Sequence, residues 1–434
     1  MKIGLAEVNI TPPLAMHITG YGAKERLSTG VKDELFAKAM VIEAGDTSLA
    51  FIVLDIISLD LEPAQQIRRR VSALTGIAEQ HVMVSCTHTH TGPPRPVDEA
   101  ALSYYPVLTA KAADAAVLAF QRREEAKIGF GRGHEDTIAF NRRFFMKDGT
   151  VRTNPGILNP DIDRPEGPID PEVIVMRIDD ARGQPIGILS NYAVHTDVVG
   201  GTEYSADYPC YLSRTIKRQY GEHVVSLFMQ GACGDINHID VSGQTDTTVP
   251  HRERMGTRLG YEVAKVRNLI KAATVLPSIA SRSKRVAVSE RELTEAELLW
   301  SRQTLDALKG ADAASMTSRQ IMERDRATTR LEAAGRPLPV REYEIQVCAI
   351  GDMAIVALPA EMFVEFGLDI KARSPFAYTV INELSNGSGN GYVCTPVAYE
   401  RGGYEPSGNK FAVGAGPAFV EAAVELLQQL AAEK

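Results

Sequence analysis

Strand-length apolar runs recur along this 434-residue chain, at residues 40–43, 50–54, 82–85, 173–178, 186–192, 224–229, 346–350, 354–358 and 379–381. Several are nearly continuous in Val, Ile, Leu and Phe, a pattern that requires cover on both faces of the strand. Helical spacing alternates with them, at 63–74, 105–122, 208–220, 251–272 and 417–432. Such alternation predicts an α/β fold: one multilayered domain over residues 1–434, with a largely buried mixed sheet flanked by helices. Residues 290–335, rich in Glu, Arg, Ala and Leu, break the pattern and read as a charged helical insertion. Residues 153–172 read as a long ordered loop and 385–416 as a glycine-rich, tyrosine-bearing site wall.

Composition narrows the function classes. A formal net charge of −8 leaves no basic excess for phosphates, so no nucleic-acid partner is expected. No apolar run approaches the about 20 residues that span a bilayer, and no stable membrane association is expected. The opening MKIGLAEVNITPP lacks the pattern of a signal peptide. The five cysteines are scattered and form no Cys-x-x-Cys pair, which argues against disulfides and thiolate zinc sites. A cytoplasmic location follows as the expectation; the oligomeric state is left open.

Chemistry concentrates at strand ends. In VMVSCTHTHTGPP an apolar strand runs into His88 and His90, and residues i and i+2 of an extended chain face one side. Two imidazoles at a strand end suit zinc or catalysis. SNYAVHTDVVGG places His195 at another strand end, as a third candidate ligand, with Asp197 following. In YSADYP, Asp207 reads equally as an N-cap and as a carboxylate orienting a ligand imidazole. FMQGACGDINH forms a tight turn carrying Asp235, Asn237 and His238, whose backbone N–H groups can face a ligand. In IVALPAEMFVEFG, Glu361 is either a helix first-turn acid or a carboxylate ligand. Tyr392, Tyr399 and Tyr404 sit in a glycine-rich loop; their chemistry alone does not nominate them.

Taken in order, these motifs resemble the neutral (non-lysosomal) ceramidase family. GLAEVNITPP with TGYG is similar to the family's opening, THTHTGP to its histidine hallmark, and FNRR (residues 140–143) to its Asn-Arg motif. NYAVHT, GDINH, LPAE and GYVCTPVAYERGGYE resemble its later segments, over nearly the whole chain except the insertion. Family members are zinc amidases that cut the N-acyl bond of ceramide. The resemblance implies His88, His195, Glu361 and Tyr392 as ligands of one zinc per chain. It implies His90 as a non-ligand polarising the substrate carbonyl, and Arg142 and Tyr399 as substrate-facing; Asn141, Asp235 and His238 join them as substrate-binding candidates.

The chain departs from the family at Asn237, where the family has a serine, and it is expected to lack the signal peptide and C-terminal β-sandwich of the family's secreted members. The expectation is therefore a zinc-dependent hydrolase of an amide or ester in a small, soluble acylated substrate. Zinc lowers the pKa of bound water to about 7, and the resulting hydroxide attacks the carbonyl. His90 and Asn237 stabilise the oxyanion, and Asp197 or Asp207 shuttles the proton. The alternatives are a true ceramidase, a barrel-type metal amidohydrolase, and a non-catalytic zinc-stabilised binding protein.

Overall fold

The computed structural model describes residues 1–21, 26–95, 99–245, 248–271, 278–312, 315–387 and 391–433. Gly22 of the opening motif, Ala272 of one predicted helix, residues 313–314 of the insertion and 388–390 of the glycine-rich segment lie outside the described residues.

Eight strands form the main sheet, in the order Val225–Gln230, Pro185–Tyr192, Glu172–Asp180, Glu124–His134, Lys2–Asn9, Phe36–Ala44, Thr47–Leu54 and Val82–Cys86. The pair at each edge is parallel and the inner pairs are antiparallel. The sheet is thus mixed, as the alternating pattern predicts, and the eightfold parallel barrel is ruled out. A second sheet, Ile279–Ser289, Val340–Ile350, Met353–Ala357 and Tyr378–Asn382, packs on the first. Met83, Leu227, Ile355 and Val380 share one buried cluster between them.

The main sheet curls until its two edges come close, and the chain after Tyr378–Asn382 bridges them. Glu383 N–H donates to the Gln230 carbonyl at 3.0 Å on one edge. Asn386 N–H donates to the Val84 carbonyl at 2.7 Å on the other, while its side chain accepts from Val84 N–H at 3.0 Å. Strand ends far apart in the sheet order therefore meet in space.

Three strands of these two sheets, Lys2–Asn9, Glu124–His134 and Ile279–Ser289, lie outside the predicted runs, and the predicted loop 153–172 contains Ile162–Pro165, which pairs with Arg143–Met146 in a small third sheet. In Glu124–His134 the reason is visible: Gly129, Gly131 and Gly133 alternate on one face, and a Cβ there would strike Ile270, Val266 or Glu262 within 2.9 Å. The glycines let helix His251–Leu269 lie directly on the sheet, at the expense of the apolar signal. The predicted insertion is a helical hairpin, Glu295–Ala307 and Ser318–Ala333, growing from the tip of the Ile279–Ser289/Val340–Ile350 pair, whose last paired residues are Ser289 and Val340. Each helix opens with a capping box, Thr294 with Glu297 and Thr317 with Gln320.

Candidate metal centre

His88 follows Val82–Cys86 and His195 follows Pro185–Tyr192, strands near opposite edges of the sheet that the curl brings together. His88 adopts a φ of 72°, which turns its ring out of the strand line. Thr196 Oγ1 donates to the Thr87 carbonyl at 2.6 Å and His90 N–H donates to the Thr196 carbonyl at 3.1 Å, stitching the two strand ends.

Both imidazoles are locked. His88 Nδ1 donates to the Ile57 carbonyl at 2.7 Å, and His195 Nδ1 donates to the Cys233 carbonyl at 2.9 Å. A carbonyl only accepts, so both rings carry their proton on Nδ1 and turn an Nε2 lone pair inward. The two Nε2 atoms stand 3.0 Å apart, and His90 Nε2 lies 3.4 Å from that of His88. Lone pairs facing at this distance need a cation or a shared proton between them. Glu361 adds a carboxylate, with Oε2 at 3.3 Å from His88 Nε2 and 3.5 Å from His195 Nε2. That oxygen is buried without a hydrogen-bond partner, as is His90 Nδ1.

Titration follows the same logic. Burial works against the His88 imidazolium, but Glu361 outweighs it and raises His88, while burial and then Arg142 hold His195 well below its ordinary value. Burial, then His88, lowers His90 to about 4. Burial opposes the Glu361 carboxylate, yet His88 pulls it down to about 2. His88, His90 and His195 form a group able to hold a metal ion, and the orphaned Glu361 oxygen fits the same ion.

Glu361 and Tyr392 are register partners in a two-residue parallel pair, so Tyr392 is carried to the centre by backbone pairing. Burial, then Glu361, raises its phenol well above the ordinary value. Arg142, also brought here, stacks its guanidinium against the Tyr392 ring, 5.2 Å from the ring centroid. Its guanidinium is otherwise committed, to Glu405 Oε1 at 2.8 Å and the Gly234 carbonyl at 2.5 Å. Arg142 therefore supports Tyr392 from below.

Other candidates lie elsewhere than expected. Asn141 and Asp235 are sealed in a knot: Asn141 Nδ2 donates to Asp235 Oδ2 at 2.7 Å, and Asp235 Oδ1 accepts from Val364 N–H at 2.8 Å. Burial and then Glu365 push Asp235 well above the carboxylate range, so this pair braces the turn and has no open face for substrate. Tyr399 donates to the Phe411 carbonyl at 2.9 Å and lines a separate 630 Å³ cavity with Arg291 and Glu297, so it does not face the histidines. Asp207 caps helix Tyr208–Tyr220; its oxygens accept from Tyr208 N–H at 2.6 Å and Val199 N–H at 2.7 Å. Of its two readings the cap is the one realised, and burial raises it to about 6. Asn237 is fully buried, donates from Nδ2 to Asn154 Oδ1 at 2.8 Å and accepts from Ile239 N–H at 3.0 Å, leaving one amide N–H. Asp197 and His238 are joined, Oδ1 to Nδ1, at 3.0 Å.

Glu383 escaped the sequence reading. Its Oε2 accepts from Met362 N–H at 2.8 Å and Cys233 N–H at 3.3 Å, while Cys233 Sγ donates to Oε1 at 3.0 Å. It thereby ties the Glu361 strand to the carbonyl that orients His195. Burial raises it to about 8. Its one signal was position: it follows strand Tyr378–Asn382 as the other site residues follow theirs. A 200 Å³ cleft opens beside His88 and Glu361, with Thr19, Ile57, Ser58 and Arg95 in its wall.

Comparison with known proteins bears on the family and the fold. The family profile described as neutral/alkaline non-lysosomal ceramidase, N-terminal, matches residues 1–245. Neutral ceramidase of Pseudomonas aeruginosa is 28% identical over 292 residues, 61% of this chain and 42% of the relative, so the match spans under half the relative's length. The crystal structure of neutral ceramidase from P. aeruginosa superposes with a TM-score of 0.76 at 19% identity, covering 100% of this chain and 74% of that one. A structure of ceramidase complexed with C2 gives the same TM-score and identity and covers 75% of that chain. At this identity the structural likeness concerns the fold.

Proposed function

The chain belongs to the neutral/alkaline non-lysosomal ceramidase family, and from that membership we propose that it is a zinc-dependent hydrolase of a small acylated amine or ester. The observation that carries the proposal is the pair of inward Nε2 lone pairs of His88 and His195, 3.0 Å apart and locked by two carbonyls. His88, His195 and Glu361 would hold the ion, with Tyr392 beside Glu361. Three nitrogen or oxygen donors with room for more suit zinc in a catalytic rather than a structural site. When bound, the ion supplies Lewis acidity and lowers the pKa of water.

The remaining work falls to the protein. Ile57 and Cys233 carbonyls keep both ligand rings in one tautomer. His90, neutral at pH 7 because its pKa is lowered to about 4, faces the same point and polarises the substrate carbonyl. Arg142 stacks on Tyr392, and the amide N–H that Asn237 leaves uncommitted is the proposed oxyanion donor.

The second reading, hydrolysis of ceramide itself, is favoured by the name of the Pseudomonas relative. Zinc-loaded protein assayed on an N-acyl series from acetyl to long-chain ceramide separates the two. Short N-acyl amines should be preferred; a kcat/KM of about 10⁴ M⁻¹s⁻¹ or more on long-chain ceramide in detergent overturns the small-substrate proposal. Absence of turnover on the entire series overturns both and leaves the binding-protein alternative.

A further inference from the structure

Beside the metal centre stands an Asp–His pair that the reading above does not use. We infer that His238, positioned by Asp197, carries the proton from the attacking water to the leaving nitrogen; the inference rests on the hydrolase reading.

The backbone places the pair. His195 N–H donates to the Ile236 carbonyl and His90 N–H to the Thr196 carbonyl, both at 3.1 Å. Three segments therefore run side by side: 88–90, 195–197 and 236–238. Asp197 lies in the middle one, between His90 and His238. Two residues of extended chain cover about 7 Å. His238 thus flanks His195 on the side away from the His88 strand, with Asp197 near enough to act electrostatically on both His90 and His195. Tyr21 pins this middle segment, donating to the Asp197 carbonyl and to the Val199 carbonyl at 3.0 Å, with its ring 5.2 Å from that of His90.

The ring is prepared for proton transfer. Its Nδ1 is held by Asp197 Oδ1 at 3.0 Å, so the lone pair of the neutral form falls on Nε2. Both partners keep some access to solvent, 16% for His238 and 13% for Asp197, whereas the Arg142–Glu405 pair beneath the site is sealed at 5% and 0%. A structural pair needs no such opening; a proton carrier does. The charged and titratable groups facing the ring are Asp197 and Asp207 on one side and His251, with Arg254 behind it, on the other. Burial, then His238, lowers His251 to about 4, so it stays neutral while His238 cycles. His251 also donates from Nε2 to the His238 carbonyl at 3.2 Å, which steadies the backbone.

The step balances without a co-reactant. Water forms the new C–O bond and gives its proton to His238 Nε2. The imidazolium returns that proton to the nitrogen as the C–N bond breaks, yielding a carboxylic acid and an amine.

The test compares two leaving groups on one acyl chain with zinc-loaded full-length protein: N-hexanoylethanolamine, whose amine must be protonated to leave, and p-nitrophenyl hexanoate, whose phenolate leaves unaided. His238→Gln should lower kcat on the amide about 10²–10⁴-fold. The loss on the ester should be at least about tenfold smaller, with zinc content and circular dichroism unchanged, and the wild-type acid limb of the pH–rate profile should disappear. Where His238→Gln loses zinc or helicity, Asp197→Asn carries the same comparison, and imidazole added to His238→Ala should restore amide hydrolysis preferentially. Equal loss on both substrates, or none, overturns the role of His238 and leaves the hydrolase reading standing. No turnover of either substrate by the wild-type protein overturns both.

Discussion

Replacing Glu405 by alanine should destabilise the protein by about 3–5 kcal/mol, the cost of breaking a buried ion pair from one side. Glu405 is fully buried, accepts from Arg142 Nε, Arg143 Nη1 and Thr153 Oγ1, each at 2.8 Å, and is the carboxylate that the two arginines share. Each ion pair is worth about 4 kcal/mol at 4 Å separation and an effective dielectric of 20, before desolvation is subtracted. Arg143 keeps Glu166; Arg142 keeps only the Gly234 carbonyl and its stacking on Tyr392, neither of them charged. Glu405→Ala therefore leaves one buried guanidinium without a hydrogen-bonded counter-charge. Glu405→Gln, which retains an acceptor, should cost about 1.5–3 kcal/mol, the range for hydrogen bonds to charged groups. Urea unfolding followed by far-UV circular dichroism measures this. Fluorescence does not, because the single tryptophan, Trp300, lies in the insertion helix Glu295–Ala307. Loss of Arg142 as a support for Tyr392 should also lower activity. A change below about 1 kcal/mol in Glu405→Ala would refute the ledger, and a Glu405→Ala/Arg142→Ala double mutant should be more stable than the sum of its parts.

The purified chain should carry one zinc, and His88→Ala or His195→Ala should lose both zinc and activity; full zinc retention by elemental analysis in both variants sinks the ligand assignment. Gly20→Ala should lower kcat about 10²-fold with zinc retained. Gly20 has a φ of 90° and its Cβ would lie 2.6 Å from His90 Cβ, so unchanged kcat would show that His90 need not be held there. Asn237→Ala should slow turnover by about 10²–10³ without loss of zinc, and an unaltered rate removes Asn237 from the mechanism. In the insertion, burial opposes the Glu297 carboxylate but Arg291 and Arg330 outweigh it and lower it from 4.5 to about 2. A depressed acid stabilises above its unfolded pKa and loses that contribution as pH falls through the folded one. The hairpin should therefore loosen between about pH 4.5 and 2, read by Trp300 fluorescence, since Arg330 sits 5.4 Å from the Trp300 ring centroid. A flat fluorescence signal across that window rejects the role of Glu297.

Much of the fold was legible because strands covered on both faces are written as apolar runs, and the insertion because its composition changes abruptly. Lys2–Asn9 and Glu124–His134 were not, for a physical reason. Glutamates and glycines within them serve the neighbouring helix contacts, and period-two glycine carries no hydrophobic signal. At the site, His88, His90 and His195 stood out because polar residues directly after buried strands are conspicuous. Tyr399 and Arg142 show the limit of motif reasoning. A motif gives the residue's neighbourhood, but one tyrosine of the loop is carried to Glu361 by strand pairing, while Tyr399, seven residues on, turns into helix Pro396–Arg401 and a different cavity. Asp207 was undecidable because an N-cap and a ligand-orienting acid both precede a helix.

Glu383 shows what spacing could not have found. The candidate ligands come from strand ends near the two edges of one sheet and from a second sheet, and no local pattern encodes that meeting. What encodes it is the bridge after Tyr378–Asn382, where Glu383 bonds Gln230 and Asn386 bonds Val84. The same residue that closes the seam through its backbone reaches with its carboxyl to Met362 and Cys233, next to Glu361 and behind His195. Fold closure and ligand alignment therefore share one side chain. Because burial raises Glu383 to about 8, it is largely a neutral acid at pH 7, with Cys233 Sγ a weak donor toward it. Glu383→Gln preserves the shape and the neutral charge and should leave zinc content intact. Glu383→Ala removes acceptors from two buried N–H groups, at a cost of about 1–3 kcal/mol each, and should loosen metal affinity together with stability. Titration of zinc with a competing chelator, run alongside urea unfolding, separates the possibilities. If Glu383→Ala weakens stability and leaves zinc affinity at the wild-type value, the seam and the metal centre are independent, and the coupling argued from this geometry is wrong.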